Sequence, residues 1–400
     1  MNNTYQLKPI SEIAKVITSP VDKKSLHDEL PVFLCNYTDV YYNSVISKDM
    51  DFMGATAKQS EIDRFSLKPE DVVITKDSES ADDIGISTYI ESVKDNLLCG
   101  YHLTILRPKK NIDGRFLSYA LGHPRIGYDF YRYANGITRF GLTAETYKKV
   151  KILLPPLPEQ KAIADLLSTW DEAIEKTERL IQAKKKQFQR FLHDLIYIPS
   201  VNGKWKEVRT KSLFKERRET RRDDLPLLSI TNGEGVIHRD DTNRKDTSNN
   251  DKSKYLRICP ADIGYNTMRM WQGVSALSAL EGIVSPAYTI CIPGEKLFPQ
   301  FAAYLFKIPF MIHRFYRYSQ GLTSDTWNLK YTNFCEVKMP FPPLPEQKQI
   351  AETLSTAQQE IGLLKQLTEK YKAQKRGLMQ KLLTGNWRIK PEILNKYKEA

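Results

Sequence analysis

The chain has 400 residues, with 60 Lys and Arg against 48 Asp and Glu and a formal net charge of +12. That length suits two or three domains with full cores, and the basic excess points to a polyanionic partner, either nucleic acid or an anionic membrane surface. No apolar run approaches the roughly 18 residues that a membrane span needs, residues 1–5 lack a signal-peptide layout, and five scattered cysteines form neither a disulfide framework nor a C-x-x-C zinc pair; a cytoplasmic protein is expected.

Residues 1–152 read as a mixed α/β segment. Val32-Phe33-Leu34-Cys35 and Asp71-Val72-Val73-Ile74-Thr75 look like strands, while Phe116 to Leu121 and Ile126 to Tyr133 look helical. Residues 153–200 open with Pro155-Pro156-Leu157-Pro158-Glu159-Gln160-Lys161 and continue as a long helical pattern to about Tyr197, roughly 60 Å at 1.5 Å per residue. Ile198-Pro199-Ser200-Val201-Asn202-Gly203 reads as a breaker-rich linker. Residues 201–340 form a second mixed segment. Residues 341–400 hold a second gate, Pro342-Pro343-Leu344-Pro345-Glu346-Gln347-Lys348, then a second long helix that Gly385 is placed to cap and a tail.

The two gates are an internal repeat: Pro155 to Thr169 and Pro342 to Thr356 align without gaps, and twelve of the fifteen pairs are identical. Proline suits the first helical position, and Glu159 and Glu346 sit where the helix dipole favours negative charge. Downstream, Ile163, Leu167, Trp170, Ile174 and Ile181 in the first copy, and Ile350, Leu354, Ile361, Leu364 and Leu367 in the second, follow a heptad spacing. Two such stripes pack most simply on one another as a coiled coil, with Thr177 and Lys184 as polar interruptions. The mixed segments share landmarks too: Phe130-Tyr131-Arg132-Tyr133 recurs as Phe315-Tyr316-Arg317-Tyr318, and Gly136-Ile137-Thr138 as Gly321-Leu322-Thr323. Elsewhere they diverge, as expected of one fold carrying two different surfaces. Gly203-Lys204-Trp205 leads into the second segment, and Gly385-Asn386-Trp387 leads out of the second helix with no third mixed segment after it. A circular arrangement, in which the tail returns beside the first domain and supplies its missing lead-in, accounts for this and requires antiparallel helices.

No phosphate loop, H-E-x-x-H, G-x-S-x-G, G-x-G-x-x-G or methyltransferase Asn/Asp-Pro-Pro-aromatic tetrapeptide occurs. Asp71 and Lys76 lack a second carboxylate at nuclease spacing. Binding signatures are stronger. Arg132 and Arg317 lie between tyrosines, among them Tyr133 and Tyr318, a composition suited to phosphate contact and stacking. Asn266, Arg269, Trp271 and Gln272 share one stretch after an expected strand, and arginine and glutamine suit guanine and adenine edges. Lys76 and Asp77 stand at the matching place in the first segment. Tyr101 and His102, and in the second segment Tyr288, read as turn sites with an exposed aromatic. Arg139 and Ser324, close after the shared Gly-x-Thr landmarks, complete the set. Individually, half of these residues could equally be core tyrosines and solvated arginines. The basic run Lys215 to Arg222 reads as a solvated loop or helix end that could touch DNA phosphates, and Lys184-Lys185-Lys186 as a solvated helix face.

Together, the Pro-Pro-Leu-Pro-Glu-Gln gates, Tyr265 to Gly273, Gly282 to Tyr288 and Gly100 to Leu103 resemble the DNA-specificity subunits of type I restriction–modification enzymes over nearly the whole chain. The resemblance implies an α+β protein in which two α/β target-recognition domains alternate with two long antiparallel helices, circularly arranged about a pseudo-twofold axis. It further implies a non-catalytic chain that binds double-stranded DNA and reads a bipartite target from the major groove, with the helices as the ruler of its gap. The implied partners are two methyltransferase subunits using S-adenosylmethionine and, optionally, two restriction subunits using ATP and Mg. The chain itself would hold no cofactor and no metal. The competing reading is an orphan DNA-binding scaffold or anti-restriction relative without a methyltransferase partner.

Overall fold

The computed structural model describes residues 5–22, 25–231, 233, 235–241, 251–323 and 326–397. The chain divides into two compact units, Met1–Lys176 with Leu367–Ala400, and Thr177–Gln366. Each long helix therefore begins in one unit and ends in the other.

The first unit is built on a five-stranded sheet. Strand β1 (Ala14–Thr18) lies at its edge and β2 (Val72–Thr75) at its centre, joined by β3 (Leu103–Pro108) between them; Ser87–Ile90 and Val45–Ile46 follow beyond β2. The β-branched run of β2 is buried at every position, as a strand covered on both faces requires. It pairs antiparallel with β3, Thr75 opposite Leu103 and Val72 opposite Leu106. Helix α1 (Gly114–Leu121) is capped by Asp113, whose Oδ1 accepts the Phe116 N–H at 2.8 Å. Helix α2 (Pro124–Tyr133) starts with proline in its first turn. A ribbon of Gln6–Pro9 and Lys151–Leu154 ties the two ends of the segment together.

The second unit repeats the central plan. Its strands β4 (Phe214–Arg217), β5 (Ile263–Asn266) and β6 (Tyr288–Pro293) lie in the order β4-β6-β5, with Ser275–Leu277 beyond β5. Helices α3 (Pro299–Leu305) and α4 (Pro309–Tyr318) follow, and Lys206–Arg209 pairs with Lys338–Phe341 as the closing ribbon. Phe214, Phe306, Phe315 and Phe334 form its aromatic centre. One device is common to both units: Asp71 and Asp262, each almost fully buried, accept a backbone N–H three residues upstream and two bonds from an arginine. The arginine comes from β3 in one unit (Arg107, 2.8 Å) and from β4 in the other (Arg217, 2.7 Å). The basic run at 215–222 is thereby corrected. Its first residues are strand, Arg217 is bound to Asp262, and Arg222 holds Asp224 at 2.8 Å.

The helix gates have a physical explanation in their glutamines. Gln160 accepts the Asp113 N–H at 3.0 Å and donates to Asn111 O (3.2 Å) and Pro155 O (2.8 Å). Gln347 accepts the Phe298 N–H at 2.8 Å and donates to Lys296 O (3.2 Å) and Pro342 O (2.8 Å). One amide thus satisfies three backbone groups at the joint between each domain and its helix, which neither Glu nor Met could do.

The first long helix is Leu157–Leu192 and the second Leu344–Leu382. They run antiparallel in each unit. In the first, Trp170 meets Tyr371 with ring centroids 5.6 Å apart and Asp171 pairs with Lys375, while Glu159 lies near Arg388. In the second, Lys184 pairs with Glu360 at 2.8 Å and Tyr304 lies against both Phe188 and Gln358. Lys184 therefore belongs to the helix contact, and only Lys185 and Lys186 are solvated. Ile163 and Leu167 pack in the first unit's globular core, Ile350 and Leu354 in the second's. Ile181 and Ile361 are buried, whereas Trp170, Ile174 and Leu364 are half-buried. Leu367 is 37 % exposed, and the buried position beside it is Thr368, so the seam passes through a polar residue where strict heptad counting places leucine.

Two further expectations are revised. Ile198–Val201 is helical, following a π-turn over His193–Tyr197. Pro199 lies within this continuous helical run, and the chain turns out of it at Gly203 (φ 68°). Gly385 (φ 74°) does reverse the chain after the second helix, and the tail does return to the first unit. Trp387, however, stays half-exposed beneath Lys381, whereas Trp205 is buried against Phe301. The lead-in position of the first unit, directly before its closing ribbon, is held by Tyr5. The tail instead contributes Arg388 and the Ile389 N–H to the buried Glu159 carboxylate, which also accepts the Tyr5 hydroxyl at 3.1 Å.

Candidate nucleic-acid interface

The residues following β2 and β5 stand in the same backbone frame. In the first unit the Lys76 N–H donates to His102 O at 2.9 Å, and Lys76 O accepts the Leu142 N–H at 2.8 Å. In the second, the Thr267 N–H donates to Ala287 O at 3.1 Å, and Thr267 O accepts the Leu329 N–H at 2.8 Å. Thr267 therefore occupies the place of Lys76, Met268 that of Asp77 and Ala287 that of His102. The frame is shared, and the side chains on it differ in charge, size and hydrogen-bonding sense.

In the first unit Lys76, Asp77, Tyr101 and His102 form one cluster. The Asp77 carboxylate binds the Lys76 ammonium and lies 2.9 Å from His102 Nδ1, while Lys76 Nζ sits 5.0 Å from the Tyr101 ring centre. Burial opposes ionisation of Asp77, but the hydrogen bonds from Lys76 and His102 outweigh it and hold the carboxyl below its ordinary range. The lysine side chain is only 14 % exposed, so it serves to orient Asp77; the surfaces offered outward are Tyr101 and His102. His102 reaches this position from a left-handed backbone, φ 71°.

In the second unit Asn266 is spent internally, its Oδ1 accepting the Met268 N–H at 3.0 Å. Trp271 donates its indole N–H to Met268 O at 2.9 Å and packs edge-on against Trp327 (5.1 Å), which in turn meets Tyr316 (4.9 Å). The single turn Met270–Gln272 is closed by Gly273 in the left-handed region (φ 76°). Asn266 and Trp271 thus shape the loop, and Arg269 and Gln272 are left exposed on it. A guanidinium and an amide, both unspent, are the side chains best able to read guanine and adenine edges.

The paired Phe-Tyr-Arg-Tyr runs end α2 and α4. Phe130 and Phe315 are wholly buried anchors, while Arg132, Arg317 and Tyr318 are exposed and Tyr133 is half-buried against the core. Arg132 lies over both Tyr128 and Tyr133, at 5.9 and 5.5 Å. Arg139 is exposed on the loop beside Asp77 and Ser78, to which Gly141 and Phe140 pair. Ser324 lies outside the described residues. Tyr288 is not an exposed reader: it is half-buried, directs its hydroxyl toward Ile230 O at 3.4 Å, and by strand register matches Leu103 rather than Tyr101. Among the described residues no group of three His, Cys, Asp or Glu side chains is placed to hold a metal, and no helix is long and apolar enough to cross a membrane. Sequence reasoning missed Trp327, which supports Trp271.

The sequence model of the type I restriction–modification DNA specificity domain matches residues 2–185 and 203–373. The chain belongs to that family. The two matched stretches account for most of its length, and family membership makes it a DNA-recognition specificity subunit with two recognition domains and no catalytic role of its own. The type I restriction enzyme MjaVIII specificity subunit of Methanocaldococcus jannaschii is 24% identical over 352 residues, covering 81% of this chain and 80% of that one. The fold is similar to the crystal structure of the type I restriction–modification S subunit from M. genitalium, with a TM-score of 0.56 at 15% identity over 96% of this chain and 97% of that one. A second structure, described as the basis of complex assembly and conformational transition of the type I system, gives a TM-score of 0.54 at 15% identity, covering 95% of this chain and 97% of the other.

Proposed function

We propose that this specificity subunit reads a split target in double-stranded DNA, one half with each unit, and so directs adenine methylation by partner subunits. The observation that carries this reading is the shared frame at Lys76 and Thr267, one scaffold presenting two unlike sets of groups. A single recognition surface would need no second frame, and two copies reading the same bases would carry the same side chains. In the first unit, Asp77 would accept from an exocyclic base amine, with His102 and Tyr101 packing beside it. In the second, Arg269 and Gln272 would make the bidentate contacts. Arg132, Arg139 and Arg317 would hold phosphates, fixing register without reading sequence.

Two methyltransferase subunits would dock on the long helices and supply S-adenosylmethionine. Two restriction subunits driven by ATP and Mg would join them where restriction occurs, and the assembly would work in the cytoplasm. Helix length would set the gap between half-sites. The test is adenine-methylation mapping after co-expression with the methyltransferase encoded beside this chain. A two-part motif with a fixed gap is expected, and replacing Arg269 and Gln272 by alanine should relax one half of it while leaving the other unchanged. A contiguous motif, or a double variant with an unaltered motif, would overturn the assignment.

A further inference from the structure

Lys76 and Tyr101 also border a feature of the first unit that the base contacts above leave unused. It is a cleft of about 390 Å³, whose other walls are Thr18 and Ser19 at the end of β1 and Ser60, Arg64 and Phe65 of the helix Gln59–Phe65. Most polar groups around it are spent. Thr18 and Thr104 join their hydroxyls at 3.3 Å, and Ser19 Oγ donates to Cys99 O while accepting the Val21 N–H at 3.2 Å. Glu61 turns its carboxylate back to its own helix, accepting the Lys58 N–H at 3.0 Å. The Lys76 ammonium is bound by Asp77, which His102 also holds.

Three groups are not spent. Among the described residues, the Arg64 guanidinium and the hydroxyls of Ser60 and Tyr101 make no hydrogen bond or ion pair, and all three residues are exposed. Arg64 is nevertheless held in place. Its guanidinium carbon lies 5.1 Å from the centre of the Phe65 ring, and Phe65 is buried in the core beneath the helix. A guanidinium can only donate hydrogen bonds, and both hydroxyls can donate. A cleft offering donors and one uncompensated positive charge suits a ligand that accepts and is negative. Its position narrows the class. The cleft shares Lys76 and Tyr101 with the cluster placed against the bases, and a duplex that brings a base edge to Asp77 carries its own phosphates alongside.

Resting on the DNA-reading function above, we propose that this cleft is a phosphate site of the first unit. Arg64 pairs with one backbone phosphate of that unit's half-site, with the Ser60 and Tyr101 hydroxyls as neutral donors, and the contact helps to hold the register in which Asp77 and His102 meet the bases. The experiment uses the full chain assembled with its co-encoded methyltransferase and duplexes carrying the mapped target, with dissociation constants measured as salt is raised. Arg64→Gln should leave the methylated motif unchanged, since a phosphate carries no sequence. It should flatten the slope of log affinity against log salt by about 0.9, so that its deficit against wild type shrinks about twofold with each doubling of salt. Arg64→Lys should keep the wild-type slope. A neutral methylphosphonate is then placed at each phosphate in turn across the half that Arg269 and Gln272 do not read. One position should weaken binding by wild type and by Arg64→Lys but not by Arg64→Gln, because the two changes remove the same contact. An unchanged slope in Arg64→Gln, or full additivity at every position, would overturn the phosphate site while leaving the split-target reading in place. A motif altered in that half would do the same, by making Arg64 a reader of bases. Absence of any sequence-specific footprint from the wild-type assembly would overturn the DNA reading and the phosphate site together.

Discussion

Replacing Gln347 by alanine would test whether the amide at the helix gate is what joins the second domain to its long helix. The side chain is wholly buried, and its loss strands the Phe298 N–H and the carbonyls of Lys296 and Pro342 together. Each orphaned buried group costs about 1–3 kcal/mol, less whatever water recovers by entering the space left behind. A net loss of about 3–5 kcal/mol follows, large against the roughly 5–15 kcal/mol that holds a domain folded. Urea unfolding read by hydrogen exchange over residues 295–305 and 342–350 locates the loss as well as sizing it. Gln347→Glu sharpens the test. It keeps the acceptor for Phe298 but turns the donor toward two carbonyl oxygens into an acceptor, so the carboxyl should be held neutral, its folded pKa raised above the unfolded value. Stability is then fully present below the ordinary glutamate value of about 4.3 and lost as pH rises through the folded one. The glutamate variant should approach wild type in acid and the alanine variant near neutrality. An alanine variant costing under about 1 kcal/mol, or a glutamate variant indifferent to pH, would refute the reasoning.

Asp262→Ala should destabilise the second unit by about 3–5 kcal/mol, because it leaves the Arg217 guanidinium without its buried partner and the Cys259 N–H unpaired; a urea midpoint close to wild type would count against this. Burial lowers the Lys307 ammonium from 10.5 to about 8, although its Nζ donates to Gly273 O at 2.8 Å. The unfolded chain therefore binds that proton more readily between those two values, so stability should climb as pH rises through them, by about 2–3 kcal/mol at most. Lys307→Met should remove the climb, and midpoints measured from pH 7.5 to 10.5 would show whether it does.

The two-part architecture was legible because a duplication leaves its mark in any alignment of the chain with itself, and helical periodicity extends over thirty or more residues. Local chemistry was legible on the same terms. The strand at Val72–Thr75, the helices α1 and α2, the turn at Gly385 and the loop at Asn266–Gln272 each depend on neighbours within a few positions. What failed depended on partners far along the chain. Tyr5 rather than Trp387 fills the lead-in position because the Glu159 carboxylate collects Tyr5, Arg388 and Ile389 from opposite ends of the sequence. Thr368 rather than Leu367 is buried because the helix face is set by what packs on it.

The sequence by itself determined that two similar domains alternate with two long helices and that the surface is basic. Only the tertiary structure decided which side chains of the candidate site face outward. Strand register, which moves every residue to a new partner when it shifts by one, matched Tyr288 to Leu103, spent Asn266 and Lys76 on internal contacts, and left Arg269, Gln272 and Tyr101 exposed and His102 half-buried on their frames.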